Sequence, residues 1–332
     1  LQKPDSYEIE TMNGVFCSRE FRAIENVGLY IPGGNAILPS TMLMLGIPAM
    51  LTGCKRVVVC SPVKNGIVND DLLYAAKICG IKEFYKIGGA QAIGLLAYGD
   101  EQIPKVNKIF GPGNQYVTAA KLLVSIDSDA CAIDMPAGPS EVLVIADENG
   151  NPEFITADIL SQAEHGIDSQ TVLLTTSEKL ANDVLNEIEI QISQLSRKYF
   201  IEKSLEHSFI LIVTHIDEAI NFSNQYAPEH LILHLQNADD YRKKIVNAGS
   251  VFIGEYSPES VGDYASGTNH SLPTYGYAKS FGGVTVESFM KSMTFQKLTK
   301  EGLINISSTV ETLAEIEKLS AHKNAVSIRI KK

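Results

Sequence analysis

From Lys55 onward, short runs of β-branched and aliphatic residues alternate with longer helix-spaced stretches, and a parallel sheet with crossover helices is the architecture that accommodates this rhythm. Strands are expected at 55–60, 83–87 and 106–110, with helices at 69–79, 90–98 and after Asn114. A second series has strands at 141–145, 171–175, 209–213, 231–235 and 250–253, with helices at 153–165 and 178–196 among the intervening segments. The repetition predicts an α/β fold with two domains, 1–139 and 140–284, each built on a parallel sheet. A length of 332 residues agrees, at roughly 100–200 residues per domain. The segment 257–283 breaks the rhythm with Gly, Pro, Ser, Thr and Tyr, and so reads as a long loop, functional or disordered. Helical spacing resumes at Thr285, making 285–332 a helical C-terminal tail. Too short for a core of its own, the tail is expected to pack on another domain or subunit.

Charge narrows the partners. The balance of 28 Lys and Arg against 39 Asp and Glu gives a net charge of −11, which argues against nucleic acid or an anionic membrane and favours a small molecule. No apolar run approaches the roughly 18 residues of a membrane span, and the first thirty residues lack a secretory leader's basic and apolar regions. Five cysteines, Cys17, Cys54, Cys60, Cys79 and Cys131, include no C-x-x-C pair and read as reduced, mostly buried thiols of a cytoplasmic protein. The chain opens at Leu1 instead of Met and reads as a piece of something longer.

Three glycine-rich turns each follow an extended segment: Tyr30-Ile31-Pro32-Gly33-Gly34, Gly88-Gly89-Ala90-Gln91 and Phe110-Gly111-Pro112-Gly113-Asn114. Glycine lets the backbone approach a phosphate, and a following helix N-terminus favours an anion. None is G-x-G-x-x-G, and singly each is an ordinary tight turn. Together they favour a nucleotide or another anion. At the end of the 153–165 helix, Gln162 and His165 share a face by i, i+3 spacing; the histidine is a candidate metal ligand, although taken alone a polar pair at a helix end is ordinarily solvated. Asp263 and His270 lie in the long loop, where Asp is commonly a turn former. His322 is readable as a helix-end cation. Glu229-His230 follows Tyr226-Ala227-Pro228 at a helix-to-strand junction, where both side chains can reach one cleft as proton-handling groups. His207, His215 and His234 have no supporting neighbours, and alternation with apolar residues points His234 to solvent.

These motifs, joined by Asp134-Met135-Pro136-Ala137-Gly138-Pro139-Ser140-Glu141, Gly262-Asp263-Tyr264-Ala265-Ser266-Gly267-Thr268-Asn269-His270 and Ala321-His322-Lys323-Asn324, occur in the order found in histidinol dehydrogenases. The chain resembles that family from about Ile9 to Arg329. The resemblance implies two incomplete Rossmann-like domains and one Zn²⁺ per active site, held by Gln162, His165, Asp263 and His322. Two imidazoles and a carboxylate suit such a metal, while an amide oxygen is a weak donor. The substrate contacts implied are Ser140, Gln162, His165, Glu229, His230, Asp263, His270, Glu317 and His322. Those implied for NAD are Tyr30, Gln91 and Asn114.

The implied reaction is the four-electron oxidation of L-histidinol, through L-histidinal, to L-histidine with two NAD⁺ in succession. His230 is the expected base for the hydroxyl proton and Glu229 for the water that adds to the aldehyde; zinc mainly positions the substrate. Because Glu317 and His322 reach the partner's site in the family, an obligate homodimer with composite active sites is expected. Family members typically carry about a hundred further residues before the position of Leu1. This leaves a folded, inactive, zinc- or nucleotide-binding truncated form as the alternative. A dehydrogenase for another amino alcohol and a hydrolytic zinc enzyme are weaker readings.

Overall fold

The computed structural model describes residues 2–33 and 37–331; Gly34, in the first glycine-rich turn, lies outside the described residues. The chain begins with β1 (Tyr7–Met12) and β2 (Val15–Ala23), an antiparallel pair turning at Gly14, whose φ of +78° suits a residue without Cβ. It then enters a five-stranded parallel sheet. The elements are β3 (Asn26–Tyr30), α1 (Pro39–Thr52), β4 (Arg56–Cys60), α2 (Asp70–Ile78), β5 (Glu83–Tyr85), α3 (Gly89–Tyr98), β6 (Lys108–Phe110), α4 (Gln115–Ser125) and β7 (Ala132–Ile133). Their spatial order, β5-β4-β3-β6-β7, reverses direction between β3 and β6. Local chemistry marks the helix ends. Asn69 caps α2 by accepting from the Asp71 and Leu72 amides, and Gly80, at φ +68°, follows its end.

A second five-stranded parallel sheet comes from β8 (Glu141–Ala146), α5 (Pro152–Ala163), β9 (Gln170–Thr175), α6 (Glu178–Ile192), α7 (Lys198–Leu205), β10 (Phe209–Ile212), α8 (Ile216–Tyr226), β11 (His230–His234), α9 (Ala238–Tyr241), β12 (Ser250–Ile253) and α10 (Glu259–Tyr264). Its order is β10-β9-β8-β11-β12, so β8 and β11 are the central neighbours where the winding reverses. Every residue of these two strands is buried, as expected where helices cover both faces of a parallel sheet. Val142, Val144 and Ile232 face one core with Ile155 and Val184; Leu143, Ile145, Leu231 and Leu233 face another with Ala219 and Ile220.

The chain ends with β13 (Met290–Leu298), α11 (Lys300–Ile316) and α12 (Ser320–Ile330). Helical spacing from 285 predicted no strand here. Met290–Leu298 instead pairs with β2 along its whole length, Met290 opposite Ala23 and Leu298 opposite Val15. The partner strand supplies hydrogen bonds that local periodicity does not register, and the tail's helices start only at Lys300. Contacts divide the chain into two compact units: residues 1–23 with 286–332, and residues 24–285. Thus residues 1–23 group with the tail and not with the first sheet. Among the described residues, no helix is long and apolar enough to cross a membrane.

Candidate active site

Both parallel sheets lie in the 24–285 unit, and each brings candidate residues to its switch point. In the first sheet, Tyr30 ends β3, Gln91 is in the first turn of α3, and Asn114 caps α4 just after β6. These are carboxyl ends of parallel strands, the usual location for a dinucleotide crevice. Asn114 Oδ1 accepts from the Tyr116 and Val117 amides, both at 3.1 Å, which leaves its amide nitrogen for another partner. Buried Tyr30 accepts from the Gly89 amide at 3.1 Å, linking β3 to the turn before Gln91. Gln91 is exposed.

Sequence reasoning missed the clip under the third turn. Fully buried Lys121 donates to Asp134 at 2.5 Å, to the Gly111 carbonyl at 2.8 Å and to the Met135 carbonyl at 3.0 Å; Asp134 accepts the Gly111 amide at 2.8 Å. Both peptide groups of Gly111 are therefore held. A Cβ there would sit 2.1 Å from the Tyr30 carbonyl, and φ is +117°, so only glycine fits.

In the second sheet, the candidates collect at the opposite, amino ends of β8 and β11. Ala227, in the left-handed region at φ +57°, ends α8 and turns Pro228-Glu229 into β11, so Glu229 and His230 enter the sheet beside Glu141. Glu229 accepts the Glu141 amide at 2.9 Å, and the Glu141 carbonyl lies 3.2 Å from His230 Nδ1. A carbonyl only accepts, so Nδ1 carries the proton and Nε2 keeps its lone pair. Burial pushes the His230 pKa down to about 3 and raises that of Glu229 well above the usual carboxylate range. His230 is thus held neutral by desolvation.

The end of α5 supplies Gln162, fully buried, and His165, whose Nδ1 is 3.4 Å from the Ser140 hydroxyl and whose Nε2 is 3.9 Å from Asp263. The 257–283 segment is not all loop: its helix α10 carries Glu259 and Asp263 one turn apart on the same face. Ligand atoms of His165, Glu259 and Asp263 lie within 4.8 Å of one another. One end of the Gln162 amide lies 3.0 Å and 3.2 Å from the two Glu259 oxygens and 3.2 Å from His230 Nδ1. Burial raises the Glu259 pKa well above the usual range; it also raises that of Asp263, opposed there by His270 and His165. An imidazole and two carboxylates gathered this closely fit a borderline divalent metal.

His270 engages both ring nitrogens, Nδ1 donating to the Asp263 carbonyl at 3.0 Å and Nε2 lying 3.1 Å from the Thr41 hydroxyl. Glu317, at the end of α11, and His322, in α12, belong to the other unit and are exposed there. His234 corrects an expectation. It is 3 % exposed, not solvent-facing, and its Nε2 meets Asp158 at 2.9 Å, because β11 has helices on both faces. Asp158 and Glu259 were missed, although i, i+4 spacing to Gln162 and to Asp263 was a signal for each. All five cysteines are free, Cys60 and Cys79 buried and the other three partly so.

Residues 1–330 match the family model described as histidinol dehydrogenase. The chain is 54 % identical over 330 residues to the histidinol dehydrogenase of Bacteroides fragilis, covering 99 % of this chain and 77 % of that one. It is also 54 % identical to the putative histidine biosynthesis bifunctional protein HisCD of Photorhabdus laumondii, covering 99 % of this chain but 40 % of that longer protein. The crystal structure of histidinol dehydrogenase from Elizabethkingia anophelis superposes with a TM-score of 0.95 at 56 % identity, covering 99 % of this chain and 76 % of that one.

Proposed function

The chain belongs to the histidinol dehydrogenase family, and from that premise we propose that it oxidises L-histidinol through L-histidinal to L-histidine with two NAD⁺, at a zinc-containing site centred on His230 and Glu229. The observation that carries this reading is the neutral His230, its Nδ1 proton committed to the Glu141 carbonyl and its Nε2 free to accept. Zinc, held by Gln162, His165, Asp263 and the partner subunit's copy of His322, supplies an anchor for the substrate's nitrogen atoms. NAD, bound along Tyr30, Gln91 and Asn114, supplies the hydride acceptor.

The remaining chemistry belongs to side chains. In the first oxidation the substrate hydroxyl proton passes to His230 Nε2 as the carbinol carbon loses hydride. Water then adds to the aldehyde carbon, and Glu229, in its ionised form, takes the water's proton; the raised pKa makes that carboxylate a stronger base and makes the ionised form the minor one. Loss of a second hydride from the hydrate gives the carboxylate. The sum is histidinol, water and two NAD⁺ to histidine, two NADH and three protons. Ser140 and His270 line the substrate's path, and Glu317 reaches the partner's site, which makes the working form a homodimer. Free thiols and the absence, among described residues, of a membrane-spanning helix support a reducing, cytoplasmic setting.

The test is NADH formation by the zinc-loaded chain. Two NADH per histidinol are expected, with His230→Asn lowering kcat by about 10²–10⁴-fold and Glu229→Gln slowing chiefly the second hydride transfer. A yield of one NADH per histidinol from the unsubstituted chain overturns the four-electron assignment.

A further inference from the structure

We propose that Glu141 is a relay residue for the reaction, carrying protons from Glu229 to a cavity at the amino ends of β8 and β9. This rests on the dehydrogenase reading above, in which every turnover releases protons at a site where Glu229 is buried. Glu141 connects the two places. On the inner side its amide holds the Glu229 carboxylate at 2.9 Å. The two side chains also share a sheet face, since His230 pairs with Val142 and the next residues on that face, Leu143 and Leu231, pack in one core. On the outer side Glu141, first residue of β8, and Gln170, first residue of β9, line a cavity of about 360 Å³, roomy enough for several waters. Asp168, His207 and Lys279, exposed residues of its wall, open it to solvent.

The Glu141 carboxyl has the freedom this task requires. One oxygen accepts the Tyr275 amide at 3.0 Å; the other is buried and has no hydrogen-bond partner among the described residues. Tyr226, a wall residue on the same side, is committed instead: its hydroxyl donates to Gln170 at 2.6 Å, and burial, followed by the charges of Glu141 and Glu229, raises its pKa. Gln170 in turn donates to the His207 carbonyl at 2.7 Å. Burial pushes the Glu141 pKa up to about 7, where a carboxyl both accepts and releases a proton at neutral pH. The transfer balances. The Glu229 acid gives its proton to the Glu141 carboxylate and returns to the ionised form that the attacking water needs; the Glu141 acid then passes the proton to water or a buffer base in the cavity. The competing role is a carboxyl that only holds Tyr275, and such a group has no use for a base in the cavity.

The test is steady-state NADH formation by the zinc-loaded full chain at fixed pH and ionic strength, with urea midpoints as the folding control. Glu141→Gln keeps an acceptor for the Tyr275 amide but cannot titrate. Its kcat is expected to fall about 10²-fold with the KM for histidinol unchanged, and to climb again as inorganic phosphate, a base small enough for the cavity, is raised. The unsubstituted chain should not respond to phosphate, and Glu141→Asp, which keeps a titratable carboxyl, should retain most of kcat. Glu141→Gln at unchanged kcat, a loss that phosphate does not reverse, or an equal loss in Glu141→Asp overturns the relay while leaving the dehydrogenase standing. An unsubstituted chain that forms no NADH overturns the dehydrogenase reading, and the relay with it.

Discussion

Glu141 occupies a position where residue chemistry and strand burial conflict. It opens the fully buried strand β8, accepts the Tyr275 amide at 3.0 Å through one oxygen, and has no hydrogen-bond partner for the other among the described residues. Desolvation pushes its pKa up to about 7. A folded-state pKa above the unfolded value means that the folded protein binds the proton more tightly. The associated stability is full below about pH 4.5 and is lost as pH rises to about 7, an effect of up to about 3 kcal/mol. Glu141→Gln should flatten this slope and unfold later than the unsubstituted chain at pH 8; urea midpoints at pH 5 and pH 8 check it. The Asp158–His234 pair makes a second residue-scale case. Asp158→Ala strips a buried imidazole of its partner and should cost about 1–3 kcal/mol, read as a lower urea midpoint at constant slope.

At the scale of elements, helix caps separate stability from cofactor binding. Asn69 and Asn114 cap α2 and α4 in the same way, each accepting two backbone amides. Replacing either by Ala should cost about 1 kcal/mol. Only Asn114→Ala should also raise the KM for NAD, because its turn lies at the switch point of the first sheet; equal KM values for both variants would remove Asn114 from the cofactor site. The same scale explains which elements were legible. Asn69, Gly80 and the apolar runs of β8 and β11 carry local signals, so their elements were readable. The strand β13 carries none that competes with the helical spacing around it, and α10 is a short helix inside a segment rich in loop formers. Its Glu259 and Asp263 are on one face only because the helix forms.

For the molecule as a whole, one compact unit is assembled from chain ends that are distant in sequence, β2 pairing with β13 while Gly302 of α11 abuts Gly14. A Cβ on Gly302 would lie 2.1 Å from the Gly14 carbonyl oxygen. Gly302→Ala should therefore cost about 1–3 kcal/mol by overpacking, seen as an earlier urea midpoint; an unchanged midpoint would mean that the hairpin and helix separate freely.

By itself the sequence determined the two parallel sheets, the glycine-rich turns at strand ends, and the order of the motifs, because β-branched runs, caps and glycines act locally. The tertiary structure decided the electrostatics. That His230 stays neutral with Nδ1 tied to a carbonyl, that Glu229 and Glu259 resist ionisation, and that His234 is paired inside the sheet all depend on water excluded by segments distant in sequence. Desolvation belongs to the assembled interior and not to any stretch of chain, so no spacing of residues could have announced it.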